Sequence, residues 1–209
     1  MEMNTVGYSI DMDPALWVPV PLDFPTDEFA SPGHWARATV ARMVTDIELP
    51  DGLEGDLERL AVSIAESDSP LPGAEGRFWY FPVTGGVMQI AHLYATTRDA
   101  VGDLTLVEVA IGGRGEPEPQ RADPAAFGGF DEAWRVVLLG SLPGNTEEVP
   151  VGHMRFVGES RGIILMLDVT GTDLAVLGVM ESHLAELFAS IRIGIDAGPG
   201  ETEVGSSPH

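Results

Sequence analysis

The apolar positions of this chain follow helical spacing in its first third, change to strand-like runs in its middle, and return to helical spacing near its end. Ser31-Pro32 is typical of a helix start, and the apolar positions that follow it predict a helix to about Ile47. A second stripe predicts a helix over Leu53–Ser67. A third begins at Val176 or, because Gly178 interrupts it, only near Met180, and ends near Ile193.

The middle of the chain alternates between β-rich runs and turn residues. Ala15–Leu22 carries two closely spaced prolines, which favour an edge strand or a polyproline segment. Gly-rich links at Thr84-Gly85-Gly86 and Gly158–Gly162 predict two hairpins. The predicted strands of this region are Gly76–Val83, Val87–Thr97, Leu104–Ile111, Trp134–Leu142, Val149–Val157 and Ile163–Val169.

The strand Ile163–Val169 is apolar without alternation, so both of its faces should be covered. Strands grouped between helices indicate an α+β fold. We therefore expect an antiparallel β-meander sheet of five to seven strands with helices packed on both faces, a three-layer sandwich whose core is closed by the C-terminal helix.

The distribution of these elements predicts a single α+β domain over residues 1–193. Residues 1–14 are polar and acidic and are interpreted as a loose arm, and residues 194–209 as a disordered acidic tail. Gly112–Pro124, rich in proline and glutamate, is expected to form an exposed loop.

The arrangement resembles the PsbP-like α/β/α sandwich of small bacterial proteins of actinobacterial type. The features that carry the resemblance are the extended Trp17–Pro21, a helix bearing Trp35, the central antiparallel strands, and a last strand leading into a helix that ends Ala189–Ile193. The resemblance implies a protein that binds partners or acts as an accessory factor. It carries no catalytic signature, and therefore no site residue is transferred.

Charge and composition narrow the partners and the compartment. The formal net charge is −22, and all 11 basic residues are arginine, which suggests a bacterial source. A strongly negative surface repels phosphate backbones and anionic lipid, so we expect neither nucleic acid nor membrane as a partner. The absence of cysteine, and an N-terminus without a signal-peptide pattern, favour the cytoplasm.

No motif in the sequence assigns a reaction or a cofactor. There is no H-E-x-x-H, G-x-S-x-G or phosphate-binding glycine loop in a strand-to-helix context. His92, Glu108 and His153 each fall on a predicted strand and would form a polar pocket or a two-histidine, one-carboxylate metal site if those strands were neighbours. The alternative is that each is an isolated, hydrogen-bonded or exposed side chain, and no metal or cofactor is assigned.

Four consecutive aromatic residues, Phe78 to Phe81, must point to both faces of their strand. At a sheet edge, Trp79, Tyr80 and Phe81 would offer a partner surface. The alternative is that helices cover both faces of that strand.

The sequence thus favours a non-enzymatic binding or accessory protein that uses a sheet face or edge to bind a protein partner. The alternative is an enzyme or metal-binding protein with the polar pocket of His92, Glu108 and His153. Self-association as a homodimer, through a strand edge or the C-terminal helix, is a third option.

Overall fold

The computed structural model of the chain describes residues 7–45, 50, 52–81, 89–113, 119–141 and 149–194. Within these residues the chain forms nine strands and five helices. In chain order they are β1 (Gly7–Ser9), β2 (Trp17–Val20), α1 (Pro32–Met43), α2 (Leu53–Glu66), β3 (Ala74–Tyr80), β4 (Gln89–Thr97), α3 (Arg98–Val101), α4 (Leu106–Ile111), β5 (Arg121–Pro124), β6 (Glu132–Ser141), β7 (Pro150–Ser160), β8 (Ile163–Gly171), α5 (Leu174–Ala189) and β9 (Arg192–Gly194).

Seven of the described strands form one antiparallel sheet in the order β2-β3-β4-β8-β7-β6-β5. The sheet consists of two meanders, β2 to β4 and β5 to β8, joined where β4 pairs with β8. Strand β8 therefore lies at the centre of the sheet, which explains why its residues are apolar on both faces. The predicted antiparallel α+β fold is confirmed.

Helices cover both faces of the sheet, as the apolar strand predicted. On one face, α5 packs its Met180, Leu184 and Phe188 against the central strands, so the C-terminal helix closes this core. On the other face, α1 and α2 pack over β2 and β3 through Trp35 and Ile64, while α4 covers a separate apolar cluster on the opposite half of the sheet.

The helix boundaries follow local capping chemistry. The Ser31 hydroxyl accepts a hydrogen bond from the His34 backbone N–H, and Pro32 occupies the first turn of α1. The last helix begins earlier than either predicted start, Val176 or Met180, because α5 begins at Leu174. Asp173 is its N-cap and accepts from the backbone N–H groups of Ala175 and Val176.

The predicted strand Leu104–Ile111 is a helix instead. Thr105 and Glu108 form a capping box at the start of α4, in which each side chain accepts from the other residue's backbone N–H. This short-range signal outweighs the β-branched composition of the segment. Glu108 therefore does not lie on a strand of the sheet.

Other segments differ from the prediction at the ends of the chain and in its loops. Gly7–Ser9, expected in a loose arm, pairs as β1 with β9, so this part of the arm is attached to the C-terminal segment. Arg121–Pro124, expected in an exposed loop, forms the edge strand β5. The link at 84–86, residues 114–118 and the tail after Gly194 lie outside the described residues.

The β7–β8 hairpin turns more tightly than the glycine-bounded loop that was predicted. Strand β7 continues to Ser160, and only Arg161 and Gly162 connect it to β8, with φ angles of 55° and 77°. Both angles lie in the left-handed region that a two-residue hairpin turn requires.

No helix in the described part of the chain is both long enough and apolar enough to cross a membrane.

Candidate functional site

A row of polar side chains crosses the centre of the sheet on the face beneath α1, α2 and α4. Arg77 of β3 lies opposite His92 of β4, His92 lies opposite Asp168 of β8, and Asp168 lies opposite Arg155 of β7. Directly opposite residues share a face of the sheet, so these four side chains form a continuous line between the flanking apolar clusters.

The pair of Arg155 and Asp168 is the centre of this polar row. Arg155 Nε donates to Asp168 Oδ1 at 2.9 Å, and another of its donors reaches the backbone carbonyl of Ala110 at the end of α4. Asp168 is fully buried. Burial alone would raise the pKa of its carboxyl group, but the contacts with His153 and Arg155 outweigh burial and hold that pKa below its usual range.

His153 lies beside the row, two residues before Arg155 on the same face of β7, and is more exposed than the four members of the row. Its Nδ1 is 2.9 Å from the hydroxyl of Thr170 and 3.8 Å from Asp168 Oδ1, so the hydroxyl is the direct hydrogen-bond partner and the carboxylate a neighbouring charge. Thr170 also donates weakly to Asp168, at 3.4 Å. These contacts fix the orientation of the imidazole ring.

His92 and Arg77 form one end of the row. Arg77 donates to backbone carbonyls of Pro21, Ala65 and Ser67, which ties β3 to the end of α2. His92 is 5% exposed, and neither of its ring nitrogens has a hydrogen-bond partner among the described residues. Burial lowers the pKa of His92 to about 4, so the ring is neutral at pH 7.

The structure brings two of the three predicted pocket residues together. His92 and His153 lie on one face of the sheet on either side of Asp168, and Asp168 takes the place that was predicted for Glu108. Glu108 instead caps α4, where its carboxylate accepts from Thr105. Within the described ranges no group of three or more His, Asp or Glu side chains is arranged to hold a metal ion.

The predicted partner surface on the aromatic strand is not exposed. Trp79 and Tyr80 are 0% and 2% exposed, on opposite faces of β3, because helices cover both sides of the sheet there. The Tyr80 hydroxyl is hydrogen-bonded to Nδ1 of His183 on α5 at 2.6 Å. Phe81 is half-buried and contacts Trp79 edge-to-face. These aromatic residues belong to the core.

An open cavity lies on the opposite face, beside α5. This helix packs mainly on β7 and β8, and it meets β6 through the ion pair of Glu181 with Arg135. The cavity between α5 and the strands β5 and β6 has a volume of 520 Å³, within the ordinary range for ligand sites. We call it the α5 groove; it is lined by Asp123, Pro124, Ala125, Phe127, Arg135, Phe156, Gly178, Glu181, Ser182 and Ala185.

Charged side chains cross the α5 groove from wall to wall. Arg135, on the floor, is paired with Asp123 of β5 on one side and with Glu181 of α5 on the other. Arg121 also contacts Asp123. The hydrogen bond from Arg135 lowers the pKa of Asp123, so this carboxylate is ionised at neutral pH.

Aromatic packing closes one end of the α5 groove. Phe127 contacts Phe156 and Phe188 edge-to-face, and Phe130 stacks on Phe188 with ring centroids 4.6 Å apart. A side chain at Gly158 would place its Cβ 2.6 Å from the Phe130 ring, so this approach requires glycine. The residues before β6 are thereby fixed against the sheet and the end of α5.

Beyond the other end of the α5 groove, the same strand and helix continue with exposed apolar side chains. Leu139 of β6 is 50% exposed and Leu174 of α5 is 40% exposed. Gly152 lies on the floor between the two leucines. A Cβ at position 152 would lie 2.7 Å from the Leu174 side chain, so the glycine leaves room for Leu174. The groove is thus charged in its middle and apolar beyond one end.

The sequence did not predict the α5 groove, although two signals in it point there. Arg135 interrupts an otherwise apolar strand and shares a face with Val137 and Leu139, a pattern of a partly open face. Gly178 interrupts a regular helical stripe, and a Cβ there would meet no atom within 4 Å. The glycine marks open space beside the helix, whereas it was interpreted only as a weakness of the helix.

The fold and the groove define a three-layer α+β protein without a recognised catalytic centre in the described residues. The chain is similar to the structure of LpqN, involved in cell envelope biogenesis of Mycobacterium tuberculosis, with 15% identity over 92% of this chain and 86% of that chain, and a TM-score of 0.37. It is also similar to cyanobacterial PsbP from Synechocystis sp. PCC 6803, with 13% identity over 61% of this chain and 79% of that chain, and a TM-score of 0.35.

Both similarities concern architecture alone, and no property of either protein is transferred to this chain. The sequence matches no protein-family model and no curated protein.

Proposed function

We propose that this protein is a non-enzymatic binding or accessory protein and that the α5 groove holds a segment of a protein partner. The observation that carries the proposal is the 520 Å³ cavity on a sheet face that α5 leaves open. Its lining combines apolar side chains, among them Phe127 and Phe156, with a small set of convergent charged groups, a mixture found in binding sites. Exposed Leu139 and Leu174 extend the apolar surface beyond the cavity.

The sheet face supports binding better than the sheet edges do. The edge strand β2 carries Pro19, which has no N–H to offer an added strand, and Pro21 follows it directly. The other edge, β5, spans four residues and carries Arg121, Asp123 and Pro124. Short, charged and proline-bearing edges are poor templates for strand addition, so we assign the partner to the groove.

The buried polar row gives less support to the alternative of an enzyme or metal-binding protein. Asp168, Arg155 and His92 are buried, and the carboxylate predicted to complete the site, Glu108, is engaged at the start of α4. The row joins strands and helices by charge-assisted hydrogen bonds, which is sufficient reason for its presence.

A peptide selection with two variants at one position tests the proposal. Gly178→Leu would place a side chain inside the α5 groove, whereas the matched control Gly178→Ala leaves it open; both residues are better helix formers than glycine. We expect a displayed peptide library to yield sequences that bind the wild-type chain and Gly178→Ala but not Gly178→Leu. A selection in which every binder tolerates Gly178→Leu would contradict the proposal.

The cellular compartment and the oligomeric state also remain predictions. The absence of cysteine favours the cytoplasm, which fractionation of the native cell would check. Self-association as a homodimer would appear as twice the monomer mass of 22.3 kDa in light scattering.

A further inference from the structure

We infer that the α5 groove recognises an extended protein segment in which an arginine or lysine lies four residues from a large apolar residue. The inference rests on the proposed function and specifies the partner's chemistry. It follows from the charges in the middle of the groove, the exposed leucines beyond its end, and the distance between the two along β6.

The carboxylates of the groove select a cation. Asp123 and Glu181 approach from opposite walls, and both are more than one-third exposed, at 38% and 35% of their side-chain surface. Among the described residues the only ion pair of Glu181 is with Arg135, which engages its Oε1 atom. A carboxylate accepts several hydrogen bonds at once, so a partner's cation joins Arg135 at Glu181 without displacing it.

An anionic partner fits the same groove poorly. The donors of Arg135 that reach the groove walls are already paired with Asp123 and Glu181, and Arg121 is paired with Asp123. Arg135 has further N–H groups, one of them on a buried and unpaired Nε, but an incoming carboxylate there would lie beside Asp123 and Glu181 and would meet the field of a chain with net charge −22. That field slows the encounter with an anion and speeds the encounter with a cation.

The spacing follows from strand geometry. Arg135 and Leu139 lie on the same face of β6, four residues apart, which corresponds to about 13 Å at about 3.3 Å per residue. An extended partner segment lying along the groove has the same rise per residue. If one side chain of the partner lies beside Glu181, the partner's side chain four positions further along therefore reaches Leu139 and Leu174.

Synthetic peptides of equal length test the inference. We choose an acetylated and amidated nine-residue peptide with one arginine four positions before one leucine in a serine and alanine background. Two comparison peptides have the arginine two positions from the leucine, or aspartate in place of the arginine. Binding is measured by fluorescence anisotropy at low and at physiological salt.

We expect the first peptide to bind about five- to tenfold more tightly than either comparison peptide, with the preference over aspartate weakening as salt rises. Glu181→Gln should weaken its binding about threefold or more, while Glu186→Gln, exposed on the same helix but outside the groove lining, should not. Thermal melting of both variants shows whether the fold is retained.

The outcomes separate the two proposals. Equal binding of all three peptides that is still lost in Gly178→Leu would overturn the inference and leave the groove as the binding site. Tighter binding of the aspartate peptide would overturn the inference as well. If all selected peptides bound Gly178→Leu as tightly as the wild type, the proposed function itself would be contradicted.

Discussion

The buried charges of the polar row show how single residues stabilise this fold. Removing one member of a buried ion pair leaves the other charge without a partner in the interior, which costs far more than removing both. Arg155 and Asp168 are such a pair, and Ala110 supplies a further acceptor for the arginine.

We predict that Asp168→Asn lowers the free energy of unfolding by about 3–5 kcal/mol, because Arg155 stays buried and charged. The double variant Arg155→Met with Asp168→Leu should lose clearly less than the sum of the two single changes. Urea denaturation of the wild type, Arg155→Met, Asp168→Leu and the double variant measures the coupling. Additive losses would show that the two residues do not act as a pair.

His92 makes stability depend on pH in a definite direction. Its folded-state pKa of about 4 lies below the ordinary value of 6.5, so the unfolded chain binds the proton more readily. Stability should therefore fall as pH decreases from about 6.5 to about 4, by at most about 1.4 kcal/mol per pH unit from this residue.

Replacement of His92 by phenylalanine should flatten this pH dependence. Urea midpoints between pH 4.5 and 7.5 give the slope, and His34→Gln, at an exposed position in the first turn of α1, is the control. Asp168, whose pKa is lowered from an ordinary value of 3.8, loses its contribution only at pH values below that, so it does not add to the slope between pH 4.5 and 7.5. An unchanged slope in His92→Phe would show that the histidine is not the source.

At the scale of elements, the sequence predicted well those segments whose pattern is set by burial. The two N-terminal helices and the central strand β8 were found because their apolar positions repeat at a clear period or fill both faces. Segments decided by a few local contacts were harder to predict. The capping box of Thr105 and Glu108 made a helix of a β-branched run, and Asp173 started α5 before Gly178.

Loss of the Asp173 cap tests the assigned start of α5. Asp173→Ala should lower the free energy of unfolding by about 1 kcal/mol, because the backbone N–H groups of Ala175 and Val176 lose their acceptor. Thr172→Ala, at the adjacent exposed position, should have little effect. Equal effects of the two variants in thermal or urea unfolding would place the helix start elsewhere.

At the scale of the whole molecule, the arrangement of layers creates the site. Its members come from β5, β6, β7, α5 and the segment after β5, and the order in which strands join the sheet brings them together. No spacing in the sequence relates Asp123, Arg135 and Glu181, so the groove was not predictable from motifs. The predicted polar pocket was closer to the structure, because His92 and His153 lie on strands that each pair with β8.

The most direct measurement of the central claim is NMR mapping of alanine methyl groups with a selected peptide bound. Ala125 and Ala185 line the α5 groove, whereas Ala61 of α2 and Ala110 of α4 are buried on the opposite face of the sheet. If the groove is the binding site, the methyl signals of Ala125 and Ala185 shift on titration and those of Ala61 and Ala110 do not. Shifts confined to Ala61 and Ala110 would contradict it.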